Sequence, residues 1–472
     1  MVKRIGLVSA LLTSLVGLSG CNVTQRGKPT GGVDLGDGGG AGGSSTGTGG
    51  TAPTGSDAGT DGSGGSAGGD PNPRNDGGEI TEGDGAAPQE NDSGKGEISP
   101  PNVCARAITV IDSDYTSTNV SVISPDGKVL SESIVSSGSA PAGISTALSG
   151  DVVLPSAPQA SGRLVLIDRT NAALTWIDPK SAKVLHQLSV GTGFGSNPHD
   201  YLEVSATKAY VTRYETNPTP GKAPFDAGGD VLVVDPTAFS VTASIPLAKP
   251  DDGVYLPRAD RMLSVGGEVW VMLERLDASF APAGSSRIAG IDTKTDEIAW
   301  TLDLPNAENC GGVALSPSRK TAAVSCSGDY NDPTGATGRA LILLDATTSP
   351  PKEIQRFDAA TTKIDAALGP SLAFAGDNLL VGVASGNFGD KNDIAFALTV
   401  DTGDEKPLFD AGNSYVLGGV YCTPGCSARC FLADAQANGV RSFTIGNSGL
   451  TAGPTISVDP SIGLPPRELG PL

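Results

Sequence analysis

The chain has 472 residues and carries 32 lysines and arginines against 52 aspartates and glutamates, which gives a formal net charge of −20. This acidic balance disfavours a nucleic-acid partner, because binding to phosphates needs a basic face. Only two histidines are present, too few for the usual ligands of a zinc site if the cysteines are oxidised.

The first twenty residues are typical of an export signal. Lys3 and Arg4 precede an apolar stretch from Ile5 to Leu18, which is too short to span a bilayer once cleaved. The stretch ends in Leu18-Ser19-Gly20-Cys21, a run that resembles the lipobox of bacterial lipoproteins. The alternative is an ordinary signal with a chance cysteine.

In bacterial lipoproteins the lipobox cysteine is acylated and becomes the mature N-terminus. The resemblance therefore implies that residues 1–20 are a signal peptide and that Cys21 carries acyl chains, which hold the protein on a membrane. Asn22 follows the cysteine and favours the outer membrane under the sorting rule of that family. We expect an exported, lipid-anchored protein of the outer membrane.

Residues 21–103 have the composition of a disordered linker. From Asn22 to Pro100 the chain contains 25 glycines, 12 acidic residues and 4 basic residues, but no Phe, Tyr or Trp. Such a segment buries too little apolar surface to offset chain entropy. As a flexible coil it spans on the order of 50 Å, so we expect a tether that carries a folded part at residues 104–472.

Short runs rich in Val, Ile, Leu and Thr recur after Cys104 between clusters of Gly, Pro, Asn and Asp, which is the pattern of an all-β domain. One strand type appears seven times, at intervals of about 45 to 60 residues. Its copies are Ala107–Asp112, Arg163–Asp168, Lys208–Arg213, Glu268–Leu273, Thr321–Cys326, Asn378–Val383 and Arg429–Asp434. Most copies follow an inner strand and precede two outer strands, and four strands per unit are typical of propeller blades.

The two ends of this repeat array complement each other. The first unit opens at Ala107 without an inner strand, whereas the chain ends with an unpaired segment, Leu464–Gly470. We predict that this segment becomes the innermost strand of the first unit and closes a ring of seven blades, which removes the open sheet edge. Eight blades are the alternative, because the stretch from Ser136 to Ala160 is long and irregular.

The strand KAYVTRYE, followed by GGDVLVVDPTAFSVTASIPL, resembles the YVTN-type repeat of bacterial seven-bladed propellers, a family related in fold to lactonase-like enzymes. The resemblance covers most of the chain from Ala105 to Leu472. It implies an all-β, seven-bladed propeller of four-stranded blades, and it specifies an architecture rather than an activity.

Six cysteines remain besides Cys21, an even number that predicts three disulfides in an exported protein. On the propeller frame, two pairs lie at the open ends of inner hairpins, and the last two cysteines fall at the same connection in neighbouring blades. The predicted pairs are Cys310–Cys326, Cys422–Cys430 and Cys104–Cys426. Other pairings stay open.

Long loops are expected on one face of the ring, where second strands end and inner strands begin. Extra loop length is typical of binding sites, so this long-loop face is the candidate site. The side chains expected at its axial funnel are Asn197, His199, Asp200, Arg213, Tyr214, Arg258, Asp260, Glu274, Arg467 and Glu468. Their mixed charge suits a small polar or anionic ligand, or a peptide carboxylate. Alternatively, these charges pair with one another and plug the channel.

His199 is the candidate catalytic residue, with Asp200 beside it, because it is one of only two histidines and stands at the expected funnel. Lactonase-like propellers carry polar active-site groups at this place. If the protein is an enzyme, the resemblance implies a lactonase-like or other hydrolase that uses His199 with nearby Asp200, Arg258 or Glu274. A structural histidine is the alternative.

Two loops have the oxygen-rich composition of calcium sites. One contains Asp329 and Asp332, and the other contains Asp390 and Asp393. The same residue types are ordinary in turns, so we expect a protein without a cofactor, and calcium bound at these loops is the alternative.

Together these features favour a binding or scaffolding module over an enzyme. We expect a rigid ring that is displayed from a membrane and presents its long-loop face to a protein, a glycan or a small polar ligand. The alternative function is a lactonase-like or other hydrolase at the axial funnel.

Overall fold

The computed structural model describes residues 107–139, 141–249, 252–332, 334–364, 367–386, 391–424, 429–446 and 449–472. These residues form 28 strands in seven four-stranded antiparallel sheets, and no helix occurs among them. The predicted all-β, seven-bladed propeller is therefore confirmed. No helix that is long and apolar enough to cross a membrane is found within the ranges given above.

The first four blades take their strands in chain order, except for the strand that completes blade 1. Blade 1 contains β1 (Ile108–Ser113), β2 (Thr118–Ile123) and β3 (Val129–Ser136). Blade 2 contains β4 (Val152–Val153), β5 (Leu164–Asp168), β6 (Ala173–Asp178) and β7 (Lys183–Ser189). Blade 3 contains β8 (Pro198–Ser205), β9 (Lys208–Arg213), β10 (Asp230–Asp235) and β11 (Ser240–Pro246). Blade 4 contains β12 (Ala259–Val265), β13 (Glu268–Leu273), β14 (Ser285–Asp292) and β15 (Glu297–Pro305).

The remaining strands complete the ring. Blade 5 contains β16 (Cys310–Leu315), β17 (Thr321–Ser327), β18 (Arg339–Asp345) and β19 (Lys352–Asp358). Blade 6 contains β20 (Ala367–Gly376), β21 (Leu379–Ser385), β22 (Ile394–Thr399) and β23 (Asp404–Asp410). Blade 7 contains β24 (Leu417–Cys422), β25 (Arg429–Asp434), β26 (Gly439–Gly446) and β27 (Gly449–Ile456). The last strand, β28 (Pro466–Pro471), belongs to blade 1.

The middle strands of each blade are buried on both faces, whereas the outer strands are half exposed. Every residue of β5 is buried, for example, while exposed and partly buried positions make up the whole of β7. Strands packed on both faces need near-continuous apolar runs. The repeated Val, Ile and Leu runs of the sequence therefore became the middle strands.

The C-terminal segment closes the ring as predicted. β28 pairs antiparallel with β1, so that Leu469 lies opposite Val110, and the backbone N–H of Leu472 donates to Ala107 O at 3.0 Å. The observed strand begins at Pro466, two residues later than predicted. Seven sheets rule out the alternative of eight blades.

One inner strand was not recognised in the sequence. β4 has only two residues, and it pairs with β5 through Val152 opposite Asp168 and Val153 opposite Ile167. A strand this short leaves no alternating pattern to detect. It lies within the irregular stretch that had suggested an eighth blade.

Two of the predicted disulfides are confirmed. Cys310 and Cys326 lie directly opposite each other on β16 and β17, and Cys422 and Cys430 do so on β24 and β25. Cys104 and Cys426, the predicted third pair, lie outside the described residues. So do the predicted signal peptide, Cys21 and the linker.

Candidate functional site

A polar pocket opens on the long-loop face, close to the propeller axis. Its walls come from the starts of inner strands and the ends of second strands, which lie on that face. Its volume is about 40 Å³, measured as the space open to the centre of a water molecule. Its walls belong to blades 4, 5 and 6 and to the segment before β24. Its lining residues are Asp260, Glu274, Asn309, Gly311, Gly312, Ser325, Ser327, Tyr330, Ala367, Leu368, Gly369, Pro370, Ser385, Gly386 and Tyr415. We call this the axial pocket.

Equivalent positions in neighbouring blades build one wall. His199, Asp260 and Gly311 are each the second residue of an inner strand, in β8, β12 and β16. Each lies at a register shift, where a β-bulge changes the direction in which side chains point. As a result His199 reaches sideways to the next blade, and its Nδ1 lies 2.8 Å from Asp260 Oδ1.

The third of these equivalent positions, Gly311, is a glycine for a steric reason. A Cβ atom on Gly311 would lie 2.1 Å from Asp260 Oδ2 and 3.1 Å from Glu274 Oε1. Any side chain there would displace the carboxylate. Gly311 thus lets β16 pass directly against the acidic wall of the pocket.

Asp260 and Glu274, which we call the carboxyl pair, are hydrogen-bonded to each other and fully buried in the pocket wall. Burial, followed by the charge of Asp260, raises the pKa of Glu274 well above its ordinary value. Burial alone would raise the pKa of Asp260, but its contact with His199 lowers it instead. Glu274 therefore holds the proton that the pair shares, and Asp260 is the carboxylate.

Two aromatic side chains support the carboxyl pair from behind. The Tyr214 hydroxyl donates to Glu274 Oε2 at 2.5 Å. The His199 ring stacks on the Tyr214 ring with centroids 4.3 Å apart. Burial lowers the pKa of His199 despite the neighbouring Asp260, so the imidazole is neutral and donates its Nδ1 proton. Its Nε2 is buried without a hydrogen-bond partner, and His199 is not part of the pocket wall.

Asn309 contributes an unsatisfied acceptor to the axial pocket. It directly precedes β16 and has a φ of +52°, a conformation that asparagine tolerates better than most residues. Its Nδ2 donates to Gly328 O, whereas its Oδ1 is buried and has no hydrogen-bond partner. Buried polar atoms are almost always paired, so this oxygen keeps an unused capacity to accept a hydrogen bond.

Arg258 and Arg213 do not line the axial pocket. Arg258 forms an ion pair with Glu215, and its guanidinium lies 5.0 Å from the Tyr214 ring centroid. Arg213 is completely buried within blade 3, where it forms a salt bridge with Asp230 at 2.6 Å. Both arginines are thus held by carboxylates outside the pocket.

Asp200 joins three blades. Its Oδ1 accepts the Ser156 backbone N–H at 2.9 Å, and its Oδ2 accepts that of Met262 at 2.7 Å. These bonds link blade 3 to the chain of blade 2 and to β12. The sequence neighbours His199 and Asp200 therefore have different surroundings, and only His199 contacts the carboxyl pair.

The remaining predicted site residues lie beside the axis. Glu468 accepts a hydrogen bond from Arg261 at 3.0 Å, and burial raises the pKa of Glu468. Arg467 donates to Tyr415 O at 2.9 Å and so borders the axial pocket. Asn197 directly precedes β8 with a φ of +47°, and its backbone oxygen accepts the Tyr214 N–H.

Three of the four predicted calcium residues accept hydrogen bonds from the protein itself. Asp332 accepts bonds from Thr334 and from the Thr337 backbone N–H within its own loop. Asp393 is buried and accepts three backbone N–H groups, those of Gly386, Val416 and Leu417. Asp390 lies outside the described residues, and Asp329 accepts the Asn331 N–H. Within the described ranges, no group of three or more His, Cys, Asp or Glu side chains is arranged to hold a metal ion.

Sequence reasoning missed Asn309, and the repeat contains the signal that would have found it. Asn197, Arg258 and Asn309 each directly precede an inner strand and have a positive φ. Aligning the blades at that position places Asn309 in register with Asn197 and Arg258, which are both among the predicted site residues. The hydroxyls of Ser325, Ser327 and Tyr330 had no such signal, because Ser and Tyr also occur throughout the outer strands and loops.

No family model matches the chain, and no curated protein matches its sequence. Three of the solved structures that share its fold are the following. The periplasmic gluconolactonase of Pseudomonas aeruginosa is 14% identical, with a TM-score of 0.51 over 77% of this chain and 98% of that one. A putative 6-phosphogluconolactonase from Bacteroides fragilis is 13% identical, with a TM-score of 0.50 over 78% and 98%. Kuenenia stuttgartiensis hydrazine synthase is 13% identical, with a TM-score of 0.50 over 74% and 98%. The chain therefore shares its propeller fold with lactonase-like proteins, and at these identities the likeness concerns the fold alone.

Proposed function

We propose that this propeller is a binding module that takes a small polar ligand into the axial pocket. The observation that carries the proposal is the buried, unpaired Oδ1 of Asn309, a residue that lines the same pocket as the carboxyl pair. A buried acceptor that has no hydrogen bond costs about 1–3 kcal/mol of free energy. A hydroxyl or amine of a ligand would recover that free energy.

The charge of the pocket narrows the ligand class. Two carboxyl side chains line it, and no Lys or Arg is among its described lining residues. An anionic ligand would meet Asp260 without a cation to offset the repulsion. We therefore favour a neutral or cationic molecule, such as the end of a glycan, over the anionic ligand or peptide carboxylate that the sequence also suggested.

The test is titration calorimetry of the purified chain with glucose, glucosamine and glucuronate, which share a ring and differ in charge. We expect at least one of the first two to bind, and we expect Asn309→Ala to weaken that binding by about tenfold. The matched control is Glu297→Gln, an exposed residue at the start of β15. The proposal is wrong if none of the three sugars binds, or if Asn309→Ala binds as tightly as the parent chain.

We also propose that the propeller is held at the outer membrane through acylated Cys21, on the acidic linker. The lipobox-like run Leu18-Ser19-Gly20-Cys21 supports this proposal. Metabolic labelling with a radioactive fatty acid should mark the parent protein, and Cys21→Ser should remain unlabelled and leave the membrane fraction. Equal labelling of the two proteins would contradict the anchor.

Hydrolysis of a neutral sugar lactone is a second candidate, favoured by one observation. The carboxyl pair lines the pocket with its two pKa values pushed apart, which separates a general acid from a general base. Asp260 would take a proton from water as the hydroxyl adds to the acyl carbon, and Glu274 would give its proton to the departing ring oxygen. His199 would position Asp260.

This second function predicts turnover of glucono-δ-lactone that disappears in Glu274→Gln. In His199→Ala we expect a large fall in kcat and a shifted pH profile, because Asp260 loses its hydrogen-bond donor. Absence of turnover by the parent chain above the buffer rate would exclude the hydrolase and leave the binding module in place.

A further inference from the structure

We infer that the ligand of the axial pocket carries a primary ammonium group, which Asp260, Glu274 and Asn309 Oδ1 bind together. This inference rests on the proposed binding function and specifies the chemistry of the ligand.

The hydrogen-bonding groups of the axial pocket favour an ammonium group. Three hydroxyl groups of the pocket are already hydrogen-bonded within the protein: Ser325 Oγ donates to Gly369 O at 2.8 Å, Ser327 Oγ donates to Asn309 O at 3.4 Å, and the Tyr330 hydroxyl bonds to Ser327 Oγ at 2.8 Å. Tyr214 likewise donates into Glu274. The carboxyl pair and Asn309 Oδ1 offer oxygen lone pairs to a ligand. An ammonium group supplies three donors and no acceptor, so it matches this wall better than a hydroxyl.

The charged groups around the carboxyl pair also favour a cationic ligand. From β8 and the end of β9 it meets His199 and Tyr214, which are neutral. From blade 4 it meets Arg258 and Arg261, each of which has another carboxylate partner, Glu215 and Glu468 respectively.

On the pocket side, β16 brings Gly311, which has no side chain, against the pair. The closest arginine nitrogen is Arg261 Nε, at 4.0 Å from Asp260 Oδ1. The negative charge of Asp260 is therefore not fully balanced on the side that faces the pocket, and a ligand cation would balance it.

A metal ion is the competing cation, and the donor set is too small for one. Calcium takes six to eight oxygen ligands and usually several carboxylates, whereas the pocket offers one carboxylate, one protonated carboxyl group and one amide oxygen. The described residues contain no cluster of three metal-binding side chains. An ammonium group needs only the three acceptors present.

Binding of a cation beside Glu274 should release its proton. The positive charge stabilises the ionised form of the pair, so the pKa of Glu274 falls on binding. Between the pKa values of the free and bound states, affinity therefore rises with pH. A neutral ligand would cause no such release.

The experiment compares glucosamine with glucose by titration calorimetry of the purified chain, in phosphate and in HEPES, whose ionisation enthalpies differ and neither of which carries a primary ammonium group. We expect glucosamine to bind at least about tenfold more tightly than glucose and to release a fraction of a proton. In Glu274→Gln the release should vanish and glucosamine should bind more weakly, whereas Glu297→Gln should match the parent chain. Asn309→Ala provides a second variant that leaves the carboxyl pair intact.

Three outcomes would overturn the inference. Equal affinity for glucose and glucosamine refutes the ammonium group but leaves the binding module standing. If calcium chloride binds in the same pocket and Asn309→Ala weakens that binding to the same extent, the ligand is a metal ion and not an ammonium group. Failure of every sugar to bind refutes the inference and the proposed function together.

Discussion

At the residue scale, the acidic wall of the pocket depends on the absence of a side chain at Gly311. A Cβ atom there would lie 2.1 Å from Asp260 Oδ2, well inside the contact distance of two atoms. We predict that Gly311→Ala destabilises the fold by about 1–3 kcal/mol, as measured by urea unfolding. Gly376→Ala, at the end of β20 with open space around the added carbon, should be nearly neutral. Equal effects of the two changes would contradict this account.

A second residue-scale feature lies where β28 meets β1. Burial, together with the nearby charge of Asp459, raises the pKa of Asp112 to about 7, although a hydrogen bond from Asn119 opposes the shift. The bond is long, at 3.3 Å. Asp112 also lines a second, smaller pocket of about 10 Å³ between blades 7 and 1.

Because the folded-state pKa of Asp112 lies above the unfolded value of 3.8, ionisation costs the folded state free energy. The contribution of Asp112 to stability is largest below about pH 4, falls as pH rises to about 7 and is constant above that. We predict that Asp112→Asn is more stable than the parent at pH 8, by about 2–4 kcal/mol, and gains little at pH 4.5. Urea unfolding at the two pH values checks this, and an equal gain at both would contradict it.

At the element scale, β28 is the strand on which ring closure depends. Leu469 is buried in the apolar cluster shared by blades 7 and 1, together with Ile108 and Phe431. We predict that Leu469→Ala lowers the free energy of unfolding by about 2–5 kcal/mol. Leu450→Ala, on the exposed strand β27, serves as the matched control and should change it little.

Deletion of residues 464–472 removes the whole closing strand. Blade 1 then exposes the backbone edge of β1 and the apolar surface that Leu469 covered. We predict that the truncated chain loses cooperative thermal unfolding, as followed by circular dichroism. An unchanged melting curve would show that the ring does not depend on this strand.

Strands could be predicted from the sequence where their signal is local. The second strands of the seven blades were placed to within two residues at each end, because buried Val, Ile and Leu runs are a local signal. β4 was missed, because a two-residue strand has no period. The boundary of β28 was two residues early, because Leu464 and Pro465 are as apolar as the strand itself.

At the scale of the whole molecule, the core is divided among the joints between blades. Seven apolar clusters are present in the described residues, one for each pair of neighbouring blades. Trp176 belongs to the cluster of blades 2 and 3, and Trp270 to that of blades 4 and 5. Stability therefore depends on contacts around the ring, in which each blade needs both neighbours.

The candidate site is also a product of neighbouring blades, and this limited what sequence could reveal about it. His199 and Asp260 were both selected, yet their 2.8 Å contact crosses from blade 3 to blade 4. Arg213 was selected with them, but its side chain pairs with Asp230 inside its own blade. A local sequence pattern locates a residue at a strand end without indicating to which side its side chain turns.

The sequence by itself predicted the seven blades, the order of their strands, the closing segment and two disulfides. The blades and the disulfides depend on local periodicity or on residues that lie opposite each other in one hairpin, and the closing segment follows from the inner strand that the first unit lacks. Only the tertiary structure decided which polar side chains meet. The register shifts at the starts of β8, β12 and β16 turn His199 and Asp260 toward the next blade, and Gly311 leaves the space that the carboxyl pair fills. Those directions depend on the packing of one blade against the next, which no single repeat contains.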